Sequence, residues 1–404
     1  MATTAQHLGC EEKDRRMKIL MLTASDPDPN SGVAGTEWQT AQALLRLGHE
    51  VDTIWADGLS RRIRHGNLYY LLELPWAFEK AIAAKVLQKQ YDVIHVNQPY
   101  AWRAAKSHRA AKRPGVFVNR SHGWEPRVCE ALAPWRKKFG VPDWRFPRGL
   151  AGRPMRWILH EYARWAATAS DGVIVSTSED REFIISRHGV PSGTVACIPQ
   201  APPPEFVQRP LVPMTSDRSR RVLYVGQSGF FKGAHVLADV FSVLAKHHAD
   251  LDFTWCTPAF EHDRCRTLLA AESRDRVAFV DWMPQEELID LYDQHGLFIF
   301  STLAEGFGKV FLGAMSRGLC VVASNTSGMR DVIRHRETGC VVDVGNVEGF
   351  ACEVKWLLAA PERVREVSQA ASTAAQEHTW DRVASETADF YGSLLRQHGL
   401  GDPL

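Results

Sequence analysis

The sequence predicts an α/β protein built from two parallel-sheet domains in tandem that face a central cleft. Three observations predict it. Short, continuous apolar runs alternate with helix-periodic stretches along the chain, and strands that are apolar on both faces belong to parallel sheets covered by helices. The alternation halts once, at Ala201–Arg221 (APPPEFVQRPLVPMTSDRSRR), and then restarts. The length, 404 residues, suits two domains with separate cores.

In the N-terminal half, Lys18–Thr23 (KILMLT) reads as a buried strand. Thr36–Leu47 has apolar residues at helical spacing, and Trp76–Gln88 reads as a further helix. Val51–Trp55, Val93–Val96, Val116–Asn119, Gly172–Ser176 and Val195–Pro199 continue the strand series. The proline-rich break blocks both helix and central strand, which marks it as a linker. Beyond it, strands are expected at Val222–Val225, Phe253–Cys256, Val277–Val280, Leu297–Ser301, Leu319–Ala323 and Cys340–Val344. From Val347 to about Arg396 the pattern is helical. The expected division is a disordered tail (1–16), a first domain (17–200), a linker (201–220), a second domain (221–380) and a last helix (381–404) that packs back on the first domain. In open parallel sheets ligands bind at the carboxyl ends of the strands, so the cleft is the place to look.

Composition narrows the function. The formal charge is +1, so no global charge draws the chain to nucleic acid. Eight cysteines lie scattered without Cys-x-x-Cys or zinc-like spacing, as expected of reduced thiols packed as small hydrophobes. The first sixteen residues lack the apolar core of a signal peptide, and no window holds about 18 uninterrupted apolar residues. A cytoplasmic protein is expected, meeting a membrane only from its inner surface. No coiled-coil or repeat pattern bears on oligomeric state.

Four segments can carry chemistry. Ser301–Gly318 (STLAEGFGKVFLGAMSRG) reads as a strand end, a glycine loop and a new helix. Glycines admit close backbone approach, and the helix's free amides suit a phosphate. Glu305 can accept hydrogen bonds from sugar hydroxyls. Val222–Lys232 (VLYVGQSGFFK) is a strand and glycine loop ending in a lysine at a helix start. A helix N-terminus disfavours a cation, so Lys232 there points to an anion. Asn30–Thr36 (NSGVAGT) is another phosphate-suited turn, and Ser121–Trp124 (SHGW) sets His122 just after a strand.

Together these segments resemble glycosyltransferase family 4, retaining enzymes of the GT-B fold. The resemblance rests on the Gly32–Thr36 loop, the His122 loop, Gly226 with Lys232-Gly233, Glu305-Gly-Phe-Gly308, and Ser324–Val332 followed by Thr338-Gly339. It implies two Rossmann-like domains and a nucleoside-diphosphate sugar donor held mainly by the second, with no further cofactor or metal required. The partners it implies are that donor and a glycan, lipid-linked or natural-product acceptor. Glu305 would sit beside the donor sugar. The backbone from Gly306 and Phe307 through Gly308 and Lys309 to Val310 would hold sugar hydroxyls and pyrophosphate. Lys232, with Gly226 and Gln227 in its loop, would offset charge on the leaving phosphate. Gly32 and Gly35 would approach that phosphate from the other domain, and His122 would lie near the reacting carbon.

The chain also departs from the family pattern. Gly313 stands where members usually carry a ribose-binding glutamate, and Gln227 where they carry an arginine. Pro199-Gln200-Ala201 replaces the usual Pro-Asn-Gly, and Met329-Arg330 interrupts the usual approach to an acidic residue. Two losses of charge-assisted contacts, about 1.5–3 kcal/mol each, weigh against an ordinary donor unless Lys309 restores the charge. The alternative is a catalytically degraded protein that binds nucleotide or glycan as a partner subunit. Finally, residues 127–164 carry nine Lys and Arg against three acids, with Trp135, Phe139, Trp144, Phe146 and Trp157 interleaved. That segment suits an anionic membrane surface, an acceptor pocket, or a helical surface with half-buried tryptophans.

Overall fold

The computed structural model describes residues 16–97, 99–141 and 148–400, without side chains at 148–151 and 153. The expected tail, except Arg16, and Trp144, Arg145 and Phe146 of the basic segment lie outside these residues.

Twelve strands form two parallel sheets. The first holds β1 (Lys18–Leu22), β2 (Glu50–Ile54), β3 (Val93–Asn97), β4 (Val116–Arg120), β5 (Gly172–Val175) and β6 (Val195–Cys197), in the order β2-β1-β3-β4-β5-β6. The second holds β7 (Arg221–Val225), β8 (Asp252–Cys256), β9 (Val277–Val280), β10 (Leu297–Phe300), β11 (Cys320–Ser324) and β12 (Cys340–Val342), in the order β12-β11-β10-β7-β8-β9. Every apolar run expected to be a strand is one. The second order is that of a dinucleotide-binding sheet. Each sheet reverses direction of growth once, between β1 and β3 and between β7 and β10, and loops following β1, β7 and β10 line the cleft.

Strand periodicity explains the layers. In β1, Ile19 and Met21 face one apolar cluster while Leu20 and Leu22 face another. The last helix, Trp380–Gln397, closes the first of these with Trp380, Val383, Tyr391, Leu394 and Leu395 at helical spacing. It therefore lies on the first sheet although it follows the second in sequence.

The proline-rich segment is a strap, not a loose tether. Its short helix Pro204–Gln208 buries Phe206 in the second core. Arg317, fully buried, donates to the carbonyls of Phe206, Arg209 and Pro210 and pairs with Asp293. The chain returns to the first domain near Trp380, whose indole Nε1 donates to Pro202 O at 3.0 Å, so the two crossings touch.

In the helix Glu125–Lys138 the basic segment is a helical surface with a half-buried tryptophan, and its apolar face turns to the second domain. Val128, Ala131, Leu132, Trp135 and Phe139 pack against the core of the second domain. Trp135 stands where a Cβ on Gly345 would come within 2.1 Å of its ring. Of the described tryptophans in that segment, Trp157 faces outward, 65% exposed. Among the described residues no helix is long and apolar enough to cross a membrane.

Candidate functional site

A cleft of about 970 Å³ lies between the domains. Asp28–Val33, His122, Gln200 and Trp380 line it from one side, and Gln227, Lys232, Glu305 and Phe307–Val310 from the other.

On the second domain, the β7 loop makes a tight turn, Phe230–Lys232, before Gly233 opens the helix Ala234–His247. Gly233 has φ +70°, and a Cβ there would lie 2.0 Å from Ser301 O, so only glycine lets the β7 and β10 loops meet. That contact brings the Lys232 Nζ onto Glu305 Oε1, while Phe231 and Phe300 lie under the ammonium. Glu305 is buried, and its Oε2 accepts from Gly306 N. Gly308 (φ +94°) turns the chain into the helix Lys309–Ser316, whose N-terminus opens on the cleft.

Lys309 reaches across to the first domain, donating to Ser31 O at 3.1 Å. Burial first, then the Arg120 charge, lowers its pKa to about 8, against an opposing pull from Asp28. A half-buried lysine with no carboxylate in hydrogen-bond contact among the described residues is a natural seat for an anion.

His122 is held, not free. Its Nε2 lies 2.8 Å from Glu37 Oε1, and Gln200 Nε2 approaches its Nδ1 at 3.4 Å. An amide N–H can only donate, so Nδ1 accepts and Nε2–H donates to Glu37. Burial pushes the imidazole pKa down despite that carboxylate. Glu37 is buried too. Burial alone would raise its pKa, but His95 and His122 together hold it well below the carboxylate range. His95 Nε2 lies 3.2 Å from Glu37 Oε2, Tyr391 Oη holds the other ring nitrogen, and the Arg120 guanidinium is 4.0 Å away. Sequence reading passed over Glu37, His95, Arg120 and Tyr391. The available signal was a histidine and an arginine inside the buried strands β3 and β4, where polar side chains are tolerated only with partners.

Three expected glycines, Gly35, Gly226 and Gly306, do not line the cleft. Gly35 packs on the preceding loop, where a Cβ would meet Pro29 O at 2.6 Å, and Gly226 packs on the Tyr224 hydroxyl. Both shape the loops that do the lining. Gly306 abuts the first domain instead, since a Cβ there would lie 1.7 Å from His122 O.

A polar clasp joins the domains beside Glu305. Arg127 pairs with Asp180 and, at 2.9 Å, Glu179, and its Nη2 donates to Glu305 O at 2.6 Å. Ser327, at φ +55°, donates its hydroxyl to the same carbonyl at 2.8 Å and its amide to Glu179.

A sequence profile described as Glycosyltransferase Family 4 matches residues 31–205, and one described as Glycosyl transferases group 1 matches 214–374. The chain belongs to the glycosyltransferases of GT-B fold. Both six-stranded sheets fall within this architecture. It is 27% identical over 188 residues to an uncharacterised glycosyltransferase of Methanocaldococcus jannaschii, covering 45% of this chain and 47% of that one. It is 24% identical over 318 residues to a D-inositol 3-phosphate glycosyltransferase of Thermobispora bispora, covering 71% and 73%. A Corynebacterium urealyticum protein of the same name matches over 42% of its length, so the chain spans less than half of two of these three relatives. Among solved structures, sucrose-phosphate synthase from Thermosynechococcus elongatus superposes with TM-score 0.72 at 20% identity, covering 95% of this chain and 100% of that one. Anabaena HepE, solved in complex with UDP and glucose, gives 0.64 at 17% identity over 93% and 99%. The structural likenesses carry the fold.

In this GT-B cleft the two departures have a clear setting. Gln227 lines the cleft, while its main-chain carbonyl accepts from Tyr224 Oη. Gly313 faces Phe206, whose ring stands edge-on to Tyr292.

Proposed function

We propose that this chain transfers a glycosyl group from a nucleoside-diphosphate sugar to an acceptor hydroxyl with retention of configuration. The observation that carries this reading is the convergence of Lys232, Lys309, Glu305 and a helix N-terminus at the point where the second sheet reverses. In the step, the bond from the anomeric carbon to the phosphate oxygen breaks and its electron pair leaves with the diphosphate. The ring takes on oxocarbenium character, and the acceptor oxygen bonds to the same face. The acceptor proton passes to the departing phosphate oxygen, so no side chain is assigned as general base. Lys232, Lys309 and the helix amides meet the developing negative charge with fixed dipoles. Glu305 holds sugar hydroxyls. His122, with both ring nitrogens engaged, positions the cleft wall and is not a proton carrier.

A panel of nucleoside diphosphates and nucleotide sugars in a thermal-shift assay tests the donor site. A ligand at one hundred times its Kd adds about 2.7 kcal/mol of stability. Selective stabilisation that is lost in Lys232→Ala supports the reading, and silence across the panel removes it. Proton NMR of the product's anomeric centre tests retention. A second reading, a nucleotide-binding partner without transfer, is favoured by Gly313 and Gln227. Donor binding with no turnover of donor against any acceptor or water would select it.

Lys309 makes the donor site pH-dependent. It must be charged to hold phosphate, and its folded pKa of about 8 lies below the ordinary lysine value. Nucleoside-diphosphate affinity should therefore fall as pH rises from 7.5 to 9.5, a dependence lost in Lys309→Met. Without ligand the sign is opposite. The unfolded chain binds the extra proton between about 8 and 10.4, so this lysine's contribution to stability rises with pH there. Calorimetric titration and urea unfolding across that range check both.

Peripheral membrane contact belongs to a different face from the basic helix. Leu68, Leu72 and Trp76 form an exposed apolar row, with the exposed arginines 61, 62 and 64 preceding it. Anionic vesicles should sediment the protein at low salt and release it at high salt, and Leu72→Asp should abolish the binding. Absence of sedimentation at low salt removes membrane contact.

A further inference from the structure

The cleft has two chemically different halves. All the charged side chains that line it, Asp28, Lys232, Glu305 and Lys309, lie in the half described above. One helical turn beyond Lys309, around Gly313, the lining changes to Phe206, Trp282, Met283, Leu288 and Tyr292. With diphosphate on the lysines and sugar at Glu305, this apolar half is what remains for the nucleoside. The inference therefore rests on the proposed donor reading.

No Asp or Glu among the described residues lines that half. A Cβ on Gly313 would stand 3.2 Å from two ring carbons of Phe206, so C–H edges form the wall there. Tyr292 supplies no hydroxyl donor, because its Oη donates to Val310 O at 3.2 Å, and the residue is only 1% exposed. A ribose placed here has its hydroxyls against carbon. A site built to hydrogen-bond a hydroxyl rejects the analogue lacking it by orders of magnitude, while an apolar wall does not. An unpaired hydroxyl buried against such a wall carries a desolvation cost, which the 2′-deoxy sugar avoids.

One polar side chain does face the apolar half. Gln285 lines the cleft at the start of the helix Gln285–Asp293, and its amide nitrogen is buried without a hydrogen-bond partner. A buried donor left open calls for an acceptor from the ligand, and a base carbonyl supplies one.

We propose that the donor subsite binds 2′-deoxyribonucleoside diphosphates at least as well as their ribo counterparts, reading a base carbonyl through Gln285 and leaving the 2′-hydroxyl unread. The probes are UDP and 2′-deoxy-UDP, titrated calorimetrically into the full chain. The expected result is a 2′-deoxy-UDP Kd that is lower than, or within about threefold of, that of UDP. A preference for UDP beyond threefold overturns the inference and leaves the donor reading standing. Failure of both to bind overturns the inference, and only silence of the whole nucleotide panel overturns the donor reading with it. Gln285→Leu should weaken both ligands by about fivefold without changing their ratio. Unchanged affinities would overturn the base contact.

Discussion

Replacing Lys232 with methionine is expected to lower glycosyl transfer by about 100- to 1000-fold, the usual loss when one fixed electrostatic donor to a developing oxyanion is removed. Methionine keeps the apolar stem against Phe231 and Phe300 and deletes only the charge. Nucleoside-diphosphate affinity should fall less than kcat, because charge on the leaving phosphate is greatest in the transition state. Before donor binds, Lys232 is spent on Glu305, both being largely buried. The ammonium is therefore placed in advance at the edge of the cleft, and the donor phosphate competes for it with a carboxylate that also faces the sugar. Glu305→Gln frees that ammonium, so it should tighten nucleoside diphosphate alone while slowing transfer. A Lys232→Met variant that retained more than a third of wild-type kcat would refute the charge role.

Arg127→Ala should produce the largest loss of stability. The arginine is buried between domains, and its partners Asp180 and Glu179 would be left uncompensated. Asp180 is fully buried, and burial already pushes its pKa up in spite of the arginine. Removing one member of such a pair costs about 3–5 kcal/mol, most of it the penalty of the orphaned charge. Urea unfolding measures it. The double variant Arg127→Ala/Asp180→Asn should recover part of the loss, since it removes the orphan as well. Arg127→Ala also leaves the Glu305 carbonyl on Ser327 alone, so donor affinity should drop even though Arg127 does not line the cleft. Donor affinity equal to wild type in the folded variant would detach the clasp from the site.

Much of the framework was readable from local pattern. Apolar runs such as KILML and CVVAS specify buried parallel strands wherever they sit, and Lys232 announces itself by being out of place for an ordinary helix start. What was not readable depends on partners distant in sequence. The partners that hold His122 were not readable because Glu37 is 85 residues away and Gln200 is 78. Gly35 and Gly226 looked like ligand contacts because a glycine needed for loop packing has the same local signature as one needed for a phosphate. The basic residues, Trp135 and Phe139 of residues 127–139 left three readings open, since charge and aromaticity do not say which domain will cover them. Phe206, in a segment read as a linker, proved to be a wall of the cleft.

The hydrogen bond between Trp380 and Pro202 bears on the order in which substrates come and go. Both crossings of the chain between domains meet at that bond, so relative rotation of the domains has its pivot there. Atoms near a pivot move least, and Lys309 Nζ lies 5.9 Å from the Trp380 ring. A diphosphate held by that ammonium stays seated while the domains part. Under the proposed transfer, donor is expected to enter first and the spent nucleotide to depart last, an order that product-inhibition kinetics checks.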